Sequence, residues 1–570
     1  MAVATYTAAW AQALQPLGKE AAYDKQHFYR VHIVLHTAKP PWPSWLAAQQ
    51  PQKLDYTHLV QLIDQKLPED NVHKLPRAKR KMASCGKQPS KKVHIILFPF
   101  FGTSHIRPFT DLAVNLAAAR PNDIRATVAV TPANVAVVES ALSSWRSSSG
   151  GGGPYAHAAA ADVAIATYAF PAVEAGLPPG VENMSDAKGT DEESRIAVMR
   201  PPQERLVREL SPDAVVTDLH FFWKACLGVP CVSFNLGGVF PTLAMARLAS
   251  ARHRVDGDAK AVTVPGFPAP EIRIPVTELP EFLRMSQNVY TDPGRGEQTV
   301  SALRSCIGQA MNTFYDLEHD YCELYKEVGY IRRAYFVGPL SLPLVPPASR
   351  DRSACLEWLD TKAPQSVVYL CFGSLATLPE AQLNELALGL EASKAAFLWV
   401  VRAAEGWTPP EGWTERVGDR GMLVRGWAPQ VAILGHPAVA AFVTQCGWNA
   451  VLEAVTHGVP VLTWPVLFEQ FITERLVTEV LRVGERLWPE GAGVRSTRSD
   501  ECELVPAAAV AQAVARFVEP GGNGERARRR IQELSVEARA AVVEGGSSHH
   551  DLQCLIDDIM EACRARVAAA

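Results

Sequence analysis

The segment from Trp427 to Gln470, WAPQVAILGHPAVAAFVTQCGWNAVLEAVTHGVPVLTWPVLFEQ, holds the parts a nucleotide-sugar site needs. Trp427, directly after Gly426, offers a flat face for a base. Gly447-Trp448-Asn449 stands where an apolar run gives way to a helix. The free N–H groups and the positive dipole end of a helix start suit a diphosphate. Glu453 lies one helical turn beyond Asn449, where a carboxylate can accept from ribose hydroxyls. Glu469 and Gln470 follow the next apolar run and put acceptor groups where a sugar would sit. Taken singly, a Trp is usually core and a Gly-Trp-Asn usually a turn. The combination at fixed spacing carries the reading.

That segment resembles, end to end, the signature of the plant secondary-product glycosyltransferases. From about Lys92 to Cys563 the chain resembles the plant UDP-glycosyltransferases that decorate small molecules, and Asn312-Thr-Phe-Tyr-Asp-Leu-Glu318 and Phe372-Gly-Ser374 share in the likeness. The resemblance implies an α/β protein of the GT-B fold, two facing Rossmann-like doubly wound domains with a cleft between them. It implies that Trp427 stacks on uracil while Ala428 and Gln430 contact it, and that Glu453 holds the ribose. Trp448, Glu469 and Gln470 would meet the sugar, and Ser374, Gln445, Gly447, Asn449 and Ala450 would line the diphosphate. It also implies a catalytic base, His105 in Pro99-Phe-Phe-Gly-Thr-Ser-His105, and a partner acid, Asp218 in Val216-Thr-Asp218. The chemistry accounts for such a pair. An attacking hydroxyl must lose a proton, and imidazole changes charge near neutrality. A carboxylate on the other ring nitrogen fixes the tautomer and stabilises the imidazolium, as in a Ser-His-Asp triad without the serine.

Three signature positions depart from the family's usual residues. Gln445 stands in place of His, Ala450 in place of Ser and Glu469 in place of Asp. Gln still donates a hydrogen bond but brings no charge, and Ala brings no donor, at ~1.5–3 kcal/mol for each lost bond to a charged group. The stretch between Asp218 and Gly228 is also shorter than in the family. Two readings stand at this point. One is an inverting transferase moving a hexose, glucose by the hint of Gln470, from a UDP-sugar to a hydroxyl of a small apolar acceptor such as a flavonoid or other phenolic. The other is a weakened member that binds UDP-sugar or a small molecule without efficient turnover. A nicotinamide oxidoreductase is disfavoured, because no Gly-x-Gly-x-x-Gly follows the run at Val93. No metal and no permanently bound cofactor are expected.

The elements that must position these residues read as alternating strands and helices. Val93-His-Ile-Ile-Leu-Phe-Pro is a nearly continuous apolar run, as in a parallel strand covered on both faces. A loop over 101–107 and a helix from Pro108 to Ala119 are expected next. Further strands are expected at Ala126–Val130, Asp213–Asp218 and Val229–Phe234. After the turn-rich stretch from Gly338 to Pro347 the pattern restarts, with strands at Ser366–Phe372, Ala396–Val401, Val439–Thr444 and Pro460–Trp464 and a helix at Glu380–Ser393. The alternation implies right-handed βαβ units in two sheets, with ligands at the carboxyl ends of the strands. Residues 82–340 are expected to form an acceptor-binding domain and 341–570 a UDP-sugar-binding one, the last helix packing back on the first.

Bulk properties agree. The 570 residues exceed what one core holds, and 48% hydrophobic with 20% charged is an ordinary globular balance. A formal charge of −4 argues against a general attraction to nucleic acid or anionic lipid. Eleven cysteines without paired or zinc-ligand spacing read as free thiols of a reducing compartment. No run approaches the ~20 apolar residues of a membrane span, and the N-terminus lacks a secretory layout. A cytoplasmic monomer is expected. Residues 1–81, with a Pro-rich stretch at 39–43 and a basic run from Arg77 to Lys81, read as an extension ahead of a start at Met82, the basic run being a weak nuclear-import candidate. Ser147 to Ala161, rich in Ser, Gly and Ala, reads as a solvated loop.

Overall fold

The protein is described from a computed structural model, over residues 92–147, 160, 162–178, 180–183, 196–251, 260–284, 293–342, 353–402 and 406–569. The extension 1–81 with its basic run, and most of the Ser/Gly/Ala segment, lie outside the described residues.

Two parallel sheets organise the chain. The first contains β1 (Val93–Phe98), β2 (Ile124–Val130), β3 (Ala164–Thr167), β4 (Ala214–Asp218) and β5 (Cys231–Asn235). An antiparallel hairpin, β6 (Ala261–Thr263) and β7 (Arg273–Pro275), interrupts it, and β8 (Gln309–Met311) and β9 (Ala334–Phe336) complete it. Its order is β3-β2-β1-β4-β5-β8-β9. The second contains β10 (Val367–Cys371), β11 (Ala396–Val401), β12 (Gly421–Arg425), β13 (Val439–Thr444), β14 (Val461–Thr463) and β15 (Gly484–Arg486), ordered β12-β11-β10-β13-β14-β15. In both, the order reverses beside the first strand, which puts the topological switch point at the mouths of β1 and β10. Every residue of β4, β5 and β13 is buried. Helices cover both faces, so these strands can be apolar throughout rather than alternating.

Among the helices, α1 (Thr103–Ala119) follows β1, α2 (Val239–Ala251) follows β5, and α3 (Glu380–Ser393) follows β10. Next come α4 (Trp448–His457) after β13 and α5 (Gln470–Arg475) after β14. Two long helices, α6 (Asn523–Val542) and α7 (Ser547–Ala569), end the chain. The described part of α7 lies against the first sheet. Leu555, Ile556 and Ile559 join the core built on β1, β2 and α1, and Asp558 accepts from Arg333 at 2.7 Å and from Tyr335 at 2.6 Å.

One expectation is corrected. The helix after β1 begins at Thr103, not Pro108, so 103–107 is helix and His105 lies in its first turn. A proline inside a helix strands the carbonyl four residues back. Here that carbonyl belongs to Ser104, and it accepts instead from Asn449 Nδ2 at 2.8 Å, at the start of α4 in the other half. The partner that makes the early start tolerable lies 345 residues away.

Candidate active site between the two sheets

The carboxyl ends of the two sets of strands open onto one cleft of about 1410 Å³, and every site residue singled out in the sequence lines it. Among the described residues, the first half contributes His105 from α1, Asp218 from the end of β4, and Leu219 and His220 from the turns that follow, Leu219–Cys226, which are kinked at Phe221. The second half contributes the loop after β10, the Trp427 turn, the start of α4 and the start of α5.

Asp218 is buried and takes four hydrogen bonds. His105 Nδ1 donates to Oδ2 at 2.8 Å, and the Phe100 N–H reaches the same oxygen at 3.2 Å. His220 Nδ1 donates to Oδ1 at 2.6 Å, and its backbone N–H reaches that oxygen at 3.2 Å. Burial alone would raise the Asp218 carboxyl. The two imidazoles and their hydrogen bonds outweigh it and hold the group well below the usual carboxylate range. The acid therefore stays ionised and fixes His105 with its Nδ1 engaged, which leaves Nε2 as the atom available for proton transfer. His220 stacks on Phe100 at 4.4 Å between centroids and meets His105 edge-on at 5.5 Å. Sequence reasoning missed His220, although an Asp-x-His spacing at a strand end was there to be read. His105, Asp218 and His220 also present ligand-type atoms within 4.8 Å of one another, a grouping that fits a metal ion as well as a proton relay.

In the second half, Gln430 and Glu453 come together. Gln430 Nε2 donates to Glu453 Oε2 at 2.7 Å, and the Tyr369 hydroxyl donates to Gln430 Oε1 at 3.2 Å. Burial pushes the Glu453 carboxyl up, against Gln430's hydrogen bond and the charge of Arg107. Trp427 stands at the rim with 72% of its surface open, an uncovered indole face, while Ala428 behind it is buried. Gly447 caps α4 in extended conformation without a side-chain cap, so the first N–H groups of the helix point at the cleft. Gln445 accepts from the Thr444 hydroxyl at 2.9 Å through Oε1, and its amide nitrogen lies against Gly373 and Gly447. Gly373 has φ +74°, and a Cβ there would stand 2.1 Å from that nitrogen. Ser374 follows in the same turn, its carbonyl held by Arg402.

Three residues do less at the cleft surface than their types suggest. The Trp448 indole is buried against Gly238 and donates to the Asn312 carbonyl at 2.7 Å, so it docks the two halves and leaves its backbone N–H at the helix start. The Gln470 carboxamide oxygen accepts from the Val466 and Leu467 N–H groups at 3.0 Å each, which shapes the loop before α5. Ala450 is buried in the first turn of α4. Glu469 is half-buried at the cleft. Burial raises its carboxyl, while the charges of His105 and His220 pull it down. The segment 312–318 braces the same region, with Glu318 accepting from the Val239 and Phe240 N–H groups at 3.0 and 2.7 Å at the start of α2.

Two doubly wound halves facing a cleft, with a His-Asp pair on one wall and a helix start on the other, define a nucleotide-sugar-dependent transferase of the GT-B fold. The family model "UDP-glucoronosyl and UDP-glucosyl transferase" matches residues 345–481. The chain is 38% identical over 492 residues to scopoletin glucosyltransferase of Nicotiana tabacum, covering 82% of this chain and 98% of that protein. It is 34% identical over 494 residues to anthocyanin 3'-O-beta-glucosyltransferase of Gentiana triflora, with the same shares covered. Among solved structures, Glycyrrhiza uralensis UGT73P12 complexed with glycyrrhetinic acid 3-O-monoglucuronide superposes with a TM-score of 0.72 at 30% identity, covering 84% of this chain and 98% of that one. Medicago truncatula UGT71G1 complexed with UDP-glucose gives 0.65 at 25%, covering 82% and 98%. The chain belongs to the plant UDP-glycosyltransferase family and is a UDP-sugar-dependent glycosyltransferase.

Proposed function

We propose that this enzyme transfers glucose from UDP-glucose to a hydroxyl of a small phenolic acceptor, with inversion at the anomeric carbon. The observation that carries the reading is the Asp218–His105 pair, which sits across the cleft from the free N–H groups of α4. His105 Nε2 takes the acceptor's proton as its oxygen forms a bond to the anomeric carbon. The bond from that carbon to the β-phosphate oxygen breaks, and UDP departs with the electron pair. Asp218 holds the ring and offsets the charge of the imidazolium. Attack opposite the departing UDP inverts the centre.

On the donor side, Trp427 stacks on uracil beside Ala428 and Gln430, and Glu453 accepts from the ribose. The N–H groups from Gly447 through Ala450, with Asn449, Gln445 and Ser374, meet the diphosphate. Glu469 and Gln470 lie at the sugar. Helix-start N–H groups carry charge on a departing phosphate, so the reaction is read as needing no metal. Residues 82–340 are read as the acceptor domain and 341–570 as the donor domain. Among the described residues no helix is long and apolar enough to cross a membrane, and a cytoplasmic monomer in secondary metabolism fits. The named acceptors of two relatives, scopoletin and an anthocyanin, support a phenolic such as a flavonoid.

The test is product formation from UDP-glucose over a panel of phenols, with and without a chelator, read by mass spectrometry and anomeric NMR. A β-glucoside from the native protein, and a rate lowered about 10²- to 10⁴-fold in His105→Ala, is the expected result. UDP binding without product from any acceptor would instead identify the non-catalytic reading.

A further inference from the structure

The charges that line the cleft do not match the charge of a nucleoside diphosphate. Five carboxylates line it, Asp111, Asp218, Asp360, Glu453 and Glu469. The permanent cations among the described lining residues are three arginines, and two of them each donate to a backbone carbonyl. Arg402 is exposed and bonds the Ser374 carbonyl. Arg539 donates to the Thr456 carbonyl at 3.0 Å, at the C-terminal end of α4 and so at the opposite end from Gly447. Gln445, beside the helix start, is neutral. The start of α4 offers only about half a positive charge.

Arg107 is different. It is partly buried in the cleft lining, and among the described residues it makes no hydrogen bond and no ion pair. Its position follows from two helices. The Ser104 carbonyl and the Asn449 amide join the starts of α1 and α4 at 2.8 Å. Arg107 is one turn further along α1 than Ser104, and Glu453 is one turn further along α4 than Asn449. The guanidinium therefore stands across the cleft from the carboxylate read as the ribose acceptor, beside the helix start read as the diphosphate site. Its charge is felt at both Glu453 and Asp111.

We propose that Arg107 is a donor-binding residue, its guanidinium hydrogen-bonding the diphosphate oxygens of the UDP-sugar from the N-terminal half of the molecule. The inference rests on the reading of the Trp427–Gln470 face as the UDP-sugar site. A guanidinium presents a planar fork that fits two phosphate oxygens at once, which an ammonium does not. Donor recognition is then shared between the halves, with the nucleoside held by the second and part of the phosphate charge answered by the first.

The experiment compares UDP and uridine binding to the full chain, native and with Arg107→Ala, Arg107→Gln and Arg107→Lys. UDP is read by calorimetry and uridine by competition against it. The expected result is a UDP Kd raised about 10- to 100-fold in Arg107→Ala and Arg107→Gln and less in Arg107→Lys, with the uridine Kd within about twofold of native. Raising salt from roughly 50 to 300 mM should weaken UDP binding more in the native protein than in Arg107→Gln. Equal losses for UDP and uridine would overturn the proposal and make Arg107 a partner of Glu453 instead. So would no loss for either. A native protein that binds neither ligand would overturn the UDP-sugar reading itself. The glutamine and lysine variants keep the test open should the alanine variant fold poorly.

Discussion

A carboxyl taken out of water binds its proton more tightly, and Asp111 on α1 shows the effect inside the cleft wall. It is 4% exposed and accepts from the Trp145 indole at 2.7 Å. Burial pushes it up from 3.8 to about 6, against the charge of Arg107 and that hydrogen bond. Its folded value lies above its unfolded one, so the folded state binds the proton more tightly and stability falls as pH rises from about 4 through 6. At about 1.4 kcal/mol per pH unit the loss is on the order of 3 kcal/mol above pH 6. Asp111→Asn keeps an acceptor for Trp145 and removes the titration. Its urea-unfolding free energy should be the higher of the two at pH 7.5 and flatter between pH 4 and 7. A curve parallel to that of the native protein would show that Asp111 does not titrate in this range. At this scale the cleft-lining residues of the Trp427–Gln470 segment were legible because their spacing along one segment is fixed. His220 was not, since its role appears only where two imidazoles close on one carboxylate.

At the scale of elements, the long buried strands and the amphipathic helix were legible to the residue. β11, β13 and α3 fall at their expected bounds, because an uninterrupted apolar run or a 3.6 period leaves little freedom. Strands β3, β8, β9 and β15 escaped notice. They are three or four residues long, and β3 contains no fully buried residue, so no run or period is long enough to show. The early start of α1 escaped for another reason. Pro108 reads as a first-turn residue, and its compensation by Asn449 is not local in the chain. The turn after β10 is where an element bears directly on the proposed donor site. Gly373→Ala must place a side chain at φ +74° and 2.1 Å from the Gln445 amide, at a cost of about 1–2 kcal/mol in backbone strain alone. We expect the KM for UDP-sugar to rise several-fold and Tm to fall. An unchanged KM would separate Gln445 from the donor.

For the whole molecule, the two halves are joined by buried charge as well as by apolar packing. Arg475 on α5 is fully buried and bonds Glu278, just after β7, at 2.7 Å. Arg495 bonds Glu278 and Glu474, and Arg284 pairs with Glu501 at 2.6 Å across the same boundary. Burial would raise Glu474, but Arg495 and its neighbours hold it below its ordinary value. Arg475→Met leaves Glu278 with Arg495 as its one remaining cation, while Glu474 keeps Arg495 and Arg486, and should lower unfolding stability by about 3–5 kcal/mol. Adding Glu278→Gln should recover part of that loss, since a neutral amide no longer needs the partner. If the single variant loses less than about 1 kcal/mol, or the second change recovers nothing, the group does not hold the halves together.

The bond between the Ser104 carbonyl and Asn449 has a further consequence. On the proposed role of Asn449, the same amide is claimed by the opposite half and by the donor. On that role one N–H of the amide holds the seam and its second meets the diphosphate, so a shift of the amide is felt at both. Thermodynamic reciprocity makes these one coupling free energy seen from two sides. Pro108, which denies the Ser104 carbonyl a partner within its own helix, thereby ties the start of α4 to the other half of the molecule.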